Sequence, residues 1–259
     1  MSYQFIIVER LGSVEKITLN RPDVLNSFTL AMSKELREAL EGARADKSVR
    51  AILLTGAGRG FCVGQDVAEF PSDPAAVGEL LRTRYNPNIG RLRSLKKPVI
   101  AAVNGPAAGA GLALALACDV RLAASTASFV PAFVGIGLVP DSGISHTLSR
   151  LIGPSRAFEW MVSGRRLPAD EAVAWGLVSR VVEETELAGA AGQLAAGLAA
   201  MPTRAVALTK LLFDRAPVTS LAEQLELEAD LQAQAAATED FAEGVRAFLE
   251  KRPPSFQGR

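Results

Sequence analysis

The chain has 259 residues, 49% of them hydrophobic, and its 28 Lys and Arg balance its 28 Asp and Glu. A balance of zero gives no global field to recruit nucleic acid or an anionic membrane, so neither is expected as a partner. Cys62 and Cys118, each in apolar surroundings, make neither a disulfide framework nor a zinc site, which fits a reducing cytoplasm and an expectation of no metal.

The opening MSYQFIIVER has no basic flank or small-residue cleavage site, and no apolar run reaches membrane-spanning length, so it reads as structure. Residues 4–10 and 14–19 alternate apolar with polar around Leu11-Gly12-Ser13, the pattern of a β-hairpin. Asn20-Arg21-Pro22-Asp23 is turn chemistry, and Thr29 is the expected N-cap of a helix with Met32, Leu36, Leu40 and Ala43 on one stripe. Residues 51–55 and 99–103 are apolar on both faces, as in strands of a parallel sheet covered by helices on either side. A Gly- and Ala-rich turn at 104–111 then runs without a break into a buried helix at 112–118, and residues 120–123 give another strand. Beyond about residue 140 the pattern is mainly helical, at 144–151, 154–163, 168–175 and from 184 onward with breaks at Pro202 and Pro217, and only 177–182 still reads as a strand. Leu221, Leu225 and Leu231 form an incomplete stripe that needs a neighbouring surface, for which a subunit interface is one candidate. Without repeats or a low-complexity linker, the expectation is one core domain over 1–195 and a helical region over 196–259 that serves oligomerisation.

Three loops stand at strand ends or helix starts, where open α/β sheets place ligands. Residues 56–66, GAGRGFCVGQD, are glycine-rich but lack the Gly-Lys-Ser/Thr ending of a phosphate loop and the dinucleotide spacing. The 104–111 turn leaves the first N–H groups of its helix unpaired and aims a positive helix end outward, which suits an oxyanion; a tight connection packed in the core has the same composition. Residues 135–143, GIGLVPDSG, carry one acid, Asp141, at a helix start, where an isolated Asp is commonly an N-cap.

Taken together, NRPDVLNSF, GRGFCVGQD, KKPVIAAVNG, GLVPDSG and FLEKRPPSF, in that order, resemble the enoyl-CoA hydratase/isomerase family, the crotonase superfamily, over essentially the whole chain. The resemblance implies an α/β fold, a crotonase-like ββα spiral core with a helical C-terminal extension, and a homotrimer or a dimer of trimers. It implies that the N–H groups of Gln65 and Ala110 bind the thioester oxygen of an acyl-CoA, and that coenzyme A enters as part of the substrate with no separate cofactor. Ala113 and Phe133 stand where the family's hydratases carry two glutamates, so nothing there activates a water. Asp141 is the remaining acid, at the place where some relatives carry a catalytic aspartate. Its pKa is expected to be raised by Phe133, Val134, Leu138 and Val139.

GQD, RYNPNIGRL, NGPAAGAG and AFVGIGLVPDSG look most like the branch that isomerises the ring epoxide of phenylacetyl-CoA in phenylacetate breakdown. The implied activity is conversion of 1,2-epoxyphenylacetyl-CoA to the oxepin, with a 3-enoyl to 2-enoyl shift as a second reaction. The alternatives are an enoyl-CoA hydratase, an aryl-CoA dehalogenase-type enzyme with Asp141 as nucleophile, or a non-catalytic acyl-CoA binder. By the same resemblance Val24, Asp66, Val67, Phe133, Phe248 and Lys251 line the substrate or its carrier, the last two reaching toward a neighbouring subunit's site. Tyr85-Asn86-Pro87 interrupts a helical stretch expected near the acyl pocket, Glu69, Asp73 and Glu79 are expected to be solvated, and His146 is expected to be structural.

Overall fold

The computed structural model describes residues 3–259. Strands β1 (Ile6–Leu11) and β2 (Val14–Leu19) pair antiparallel across a two-residue turn at Gly12 and Ser13. Helix α1 (Leu30–Ala45) starts where expected: the Thr29 hydroxyl accepts the Met32 N–H at 3.2 Å, satisfying one of the orphan donors of the first turn. Its buried face holds Met32, Leu36, Ala39, Leu40 and Ala43, the anticipated stripe with Ala39 added.

The next unit runs from β3 (Ala51–Gly56) through the glycine loop to α2 (Ala75–Leu80), a wide π turn at Leu81–Tyr85, and α3 (Asn86–Ser94). It is followed by β4 (Val99–Val103), β5 (Pro106–Ala108) and α4 (Ala110–Ala117), and then by β6 (Val120–Ala124), β7 (Ser128–Val130) and α5 (Ile144–Ile152). Each of these last two units sends one strand into a large sheet, a short one into a small sheet, and then a helix, so the chain winds as a ββα spiral. After α6 (Pro154–Ser163), β8 (Leu167–Pro168), α7 (Ala169–Ala174) and β9 (Arg180–Val182), the chain ends in α8 (Leu187–Ala200), α9 (Thr203–Arg215), α10 (Leu221–Ala236) and α11 (Glu239–Leu249).

The large sheet has the order β1-β2-β3-β4-β6-β9, parallel from β2 onward, and the small one the order β5-β7-β8. Every residue of β4 is buried and β3 is nearly so, because helices cover both faces of the sheet and an all-apolar strand is stable only there.

Three sequence expectations change. Residues 104–111 do not run unbroken into a helix: Pro106–Ala108 is strand β5, paired with β7 and bridged to Cys62 through Ala107. A three-residue Pro-Ala-Ala strand has no propensity of its own and exists only through those partners. Of residues 177–182 only Arg180–Val182 is strand, while Leu177 and Val178 are buried in the turn that precedes it. The boundary at 195/196 falls inside α8, which packs on β3, β4 and β6; the helix break comes at Met201 and Pro202.

Helix α9 is clasped to this core by charge. Asp119 accepts from Lys210 Nζ at 2.9 Å and from Arg93 at 3.3 Å, and its second role is to take the Val99 N–H at 2.8 Å at the foot of β4.

Candidate active site

Two asparagines hold the glycine loop after β3. Asn26 donates from Nδ2 to the carbonyls of Ala57 (2.9 Å) and Gly60 (2.8 Å), and Asn104 donates to Gly58 O at 2.9 Å while accepting the Gly56 N–H at 3.1 Å. Each carboxamide uses both ends, which fixes the loop between the NRPDVLNSF and NG segments. Further on, Phe28 pairs with both neighbours of Gln65. Its N–H donates to Gly64 O at 2.7 Å and its carbonyl accepts from Asp66 N at 2.9 Å. The Gln65 N–H therefore faces away from Phe28 and has no backbone acceptor among the described residues.

The N-terminus of α4 meets this loop. The Ala110, Gly111 and Leu112 N–H groups likewise have no backbone acceptor among the described residues, and the first helical bond is Ala113 N–H to Gly109 O at 3.0 Å. Gly64, at φ 95°, lets the two segments touch: a Cβ there would stand 3.1 Å from Ala108 O and 3.4 Å from the Ala110 nitrogen. The unpaired N–H donors of Gln65 and of the start of α4 thus lie on two segments that touch at Gly64. Such an arrangement stabilises negative charge developing on a carbonyl oxygen, and does so without reorganisation.

Asp141 lies on the turn before α5. Gly143, at φ 79°, takes the N-cap position, and it is the Asp141 main-chain carbonyl that accepts the Ile144 N–H, at 3.0 Å. The carboxylate caps nothing; its Oδ1 is buried and has no hydrogen-bond partner among the described residues. Burial pushes its pKa up, and the neighbouring Ser142 hydroxyl draws it back in part. Of the four apolar residues expected around it, Phe133 is buried and Leu138 packs on the core, whereas Val134 and Val139 are exposed at 38% and 76%. Burial of the carboxylate, with no opposing charge beside it among the described residues, is the cause of the shift.

The Tyr85 ring meets Phe28 edge-on at 6.0 Å, and burial pushes its phenol pKa up. Ala113 and Phe133 are buried, and neither offers an acid.

A family model described as enoyl-CoA hydratase/isomerase matches residues 9–259. The chain belongs to the enoyl-CoA hydratase/isomerase family. It is 44% identical over 260 residues to the 1,2-epoxyphenylacetyl-CoA isomerase of Escherichia coli (strain K12), covering 99% of each chain. It is 36% identical over 250 residues to 4-chlorobenzoyl coenzyme A dehalogenase-2 of an Arthrobacter species, covering 95% of this chain and 91% of that one. The crystal structure of an enoyl-CoA hydratase from Bacillus anthracis superposes with a TM-score of 0.94 at 35% identity, over 99% of this chain and 100% of that one. The crotonase fold is therefore established, and these family members carry names for three different reactions.

The residues expected along the acyl-CoA carrier are scattered. Val24 is exposed on the single turn Pro22–Val24, and Val67, 85% exposed, follows Asp66. Asp66 itself turns inward: Arg21 holds its carboxylate at 2.8 Å, which keeps its pKa low, and it caps the Ala68 N–H at 3.1 Å. Phe248 and Lys251 are exposed at the end of α11, Phe248 lining a groove of about 460 Å³ between α9, α10 and α11 that is separate from the Asp141 turn. Glu69, expected to be solvated, is so only in part, its side chain 34% exposed. It accepts the Leu30 N–H at 2.7 Å and pairs with Arg84 at 3.0 Å, tying the loop to α1. His146 is exposed on α5 beside Asp119, Arg121 and Arg150.

Proposed function

We propose that this family member is an acyl-CoA isomerase in which the N–H groups of Gln65 and Ala110 stabilise a thioester enolate and Asp141 moves the proton. The preferred substrate is 1,2-epoxyphenylacetyl-CoA, converted to the oxepin, with a 3-enoyl to 2-enoyl shift as a second reaction. The observation that carries this reading is the Asp141 carboxylate, half-buried, free of any capping duty and raised in pKa, in a site with no other acid at the hydratase positions.

The chemistry balances without a co-reactant. Asp141 takes a proton from the carbon next to the thioester, the electron pair left behind moves onto the carbonyl oxygen facing the N–H donors, and collapse of the enolate returns the proton at another carbon. In the epoxide the bond between the two oxygen-bearing ring carbons opens as well, its electron pair joining the ring double bonds to give the seven-membered oxepin. One carboxylate serves both transfers because product and substrate have the same atoms. Val24, Asp66 and Val67 then border the carrier, Phe133 the acyl group, and Phe248 and Lys251 the carrier in a neighbouring subunit. The Asp66 carboxylate is held by Arg21, so its part is to fix the loop beside the carrier. The exposed apolar residues of α10, Leu221 at 76% and Leu225 at 55%, support assembly as a trimer or a dimer of trimers, with action in the cytoplasm.

The test is Asp141→Asn assayed against epoxide, 3-enoyl and 2-enoyl thioesters with products identified by mass. Turnover is expected to fall about 10²–10⁴-fold with acyl-CoA binding retained. Undiminished isomerisation by the variant removes Asp141 from the mechanism, and hydration of a 2-enoyl-CoA as the main reaction of the wild type removes the isomerase reading.

A further inference from the structure

Between α2 and α3 the helix widens to a π turn, closed by the Asn86 N–H on Leu81 O. The cause is Pro87, which has no N–H to return to Thr83 O and whose ring crowds that carbonyl. Helix α1 supplies the missing donors: Arg37 Nη2 reaches Thr83 O at 2.7 Å, and Ser33 Oγ reaches Arg84 O at 2.9 Å. Asn88 Nδ2 returns to Ser33 Oγ at 2.8 Å. A wide turn held this firmly from outside sets the direction of the residue that ends it, Tyr85.

Tyr85 is 6% exposed, and its phenol oxygen, which makes no hydrogen bond among the described residues, keeps some contact with solvent. Its ring rests on Phe28, which pairs with the loop that carries Gln65. Ile89, one turn further along α3, lies 3.8 Å from where a Cβ on Gly143 would be, so the helix that begins at Asn86 packs on the turn of Asp141. Two buried polar atoms on that turn lack partners among the described residues, Asp141 Oδ1 and Ser142 Oγ, the latter on a residue at φ 52°. The turn and the tyrosine thus offer a phenol donor, a carboxylate acceptor and a hydroxyl. A pure hydrocarbon acyl chain would satisfy none of them.

We propose that Tyr85 is a specificity-determining residue of this site, its phenol O–H donating to an oxygen carried on the acyl group beside Asp141. The inference rests on the acyl-CoA reading above and narrows its substrate class to acyl groups that bear an oxygen close to the thioester. Burial raises the phenol's pKa, which keeps it a donor throughout the working range.

Calorimetric titration with 2-hydroxyphenylacetyl-CoA and phenylacetyl-CoA tests this without turnover. The wild type is expected to prefer the hydroxylated thioester by roughly five- to tenfold, and Tyr85→Phe to lose that preference while binding phenylacetyl-CoA as before. Tyr85→Phe keeps the ring on Phe28, and an unchanged melting temperature checks its fold. A preference that survives Tyr85→Phe, an equal loss of affinity for both thioesters, or no preference in the wild type overturns the proposal. Failure of the wild type to bind either thioester overturns it too, together with the acyl-CoA reading. Failure of Asp141→Asn to lose turnover strikes at the base alone and leaves the Tyr85 test standing.

Discussion

At Asp141 a single burial has opposite consequences for chemistry and for stability. The carboxylate must be ionised to take a proton, and its pKa is raised above the ordinary aspartate value of 3.8 by desolvation. The acid limb of kcat/KM against pH is therefore expected above 3.8, and a limb at or below that value would mean that another group sets it. The same shift has a definite sign for folding. The folded state holds the proton more tightly than the unfolded one, so the cost of the charge is absent below 3.8 and grows as pH rises through the raised value. Asp141→Asn should accordingly melt higher than the wild type at neutral pH and equal to it in acid. Melting curves at the two pH values decide the point, and a variant that melts lower at neutral pH contradicts it. Asp66 shows the reverse case: the Arg21 guanidinium holds its pKa down, and its motif position, which looks functional, is filled by a structural ion pair.

At the scale of elements, the donor site depends on how closely α4 approaches the loop after β3. A Cβ on Gly111 would fall inside the Cys62 carbonyl, and main chain cannot swing aside as a side chain can. Gly111→Ala is expected to displace the start of α4, at a cost of about 1–3 kcal/mol in stability and with a larger proportional loss in kcat than in acyl-CoA affinity. Urea unfolding with steady-state kinetics checks both, and full activity in a stable variant would place the donors elsewhere. The motif's glycines are visible in the sequence, but the reason for this one is a contact with residue 62, which only the folded chain supplies. Glu69 makes the same point, since the donors to its carboxylate, the Leu30 N–H and Arg84, come from α1 and the π turn.

For the whole molecule, the four C-terminal helices divide into two kinds. Helix α8 belongs to the core, with Leu187, Ala191, Ala195 and Ala199 buried on β3, β4 and β6. Helices α9 to α11 leave large apolar side chains in the open: Phe213 at 76%, Leu221 at 76%, Phe248 at 83% and Leu249 at 74%. Exposed apolar surface on this scale is what the assembly proposal rests on. Light scattering is expected to give a mass three or six times that of one chain, and Leu221→Glu with Leu225→Glu to lower it. A wild type that scatters as a single chain would end the assembly proposal.

What the sequence determined by itself is what depends on local pattern and motif: the hairpin, the Thr29 cap, the buried strands β3 and β4, the glycine-rich approach to α4 and the isolation of Asp141 from any second acid. Each is written in residues next to one another, where periodicity, capping chemistry and motif order suffice. Tertiary structure decided the rest. Strand β5 exists through β7 and Cys62, residue 195 joins the core through the sheet beneath α8, and α3 meets the Asp141 turn through Ile89 beyond a wide turn that Arg37 and Ser33 hold. The physical reason is common to all three. The partners that satisfy these backbone groups and cover these side chains lie tens of residues away, and a hydrogen bond or a buried contact has no trace in the sequence until both sides have been brought together.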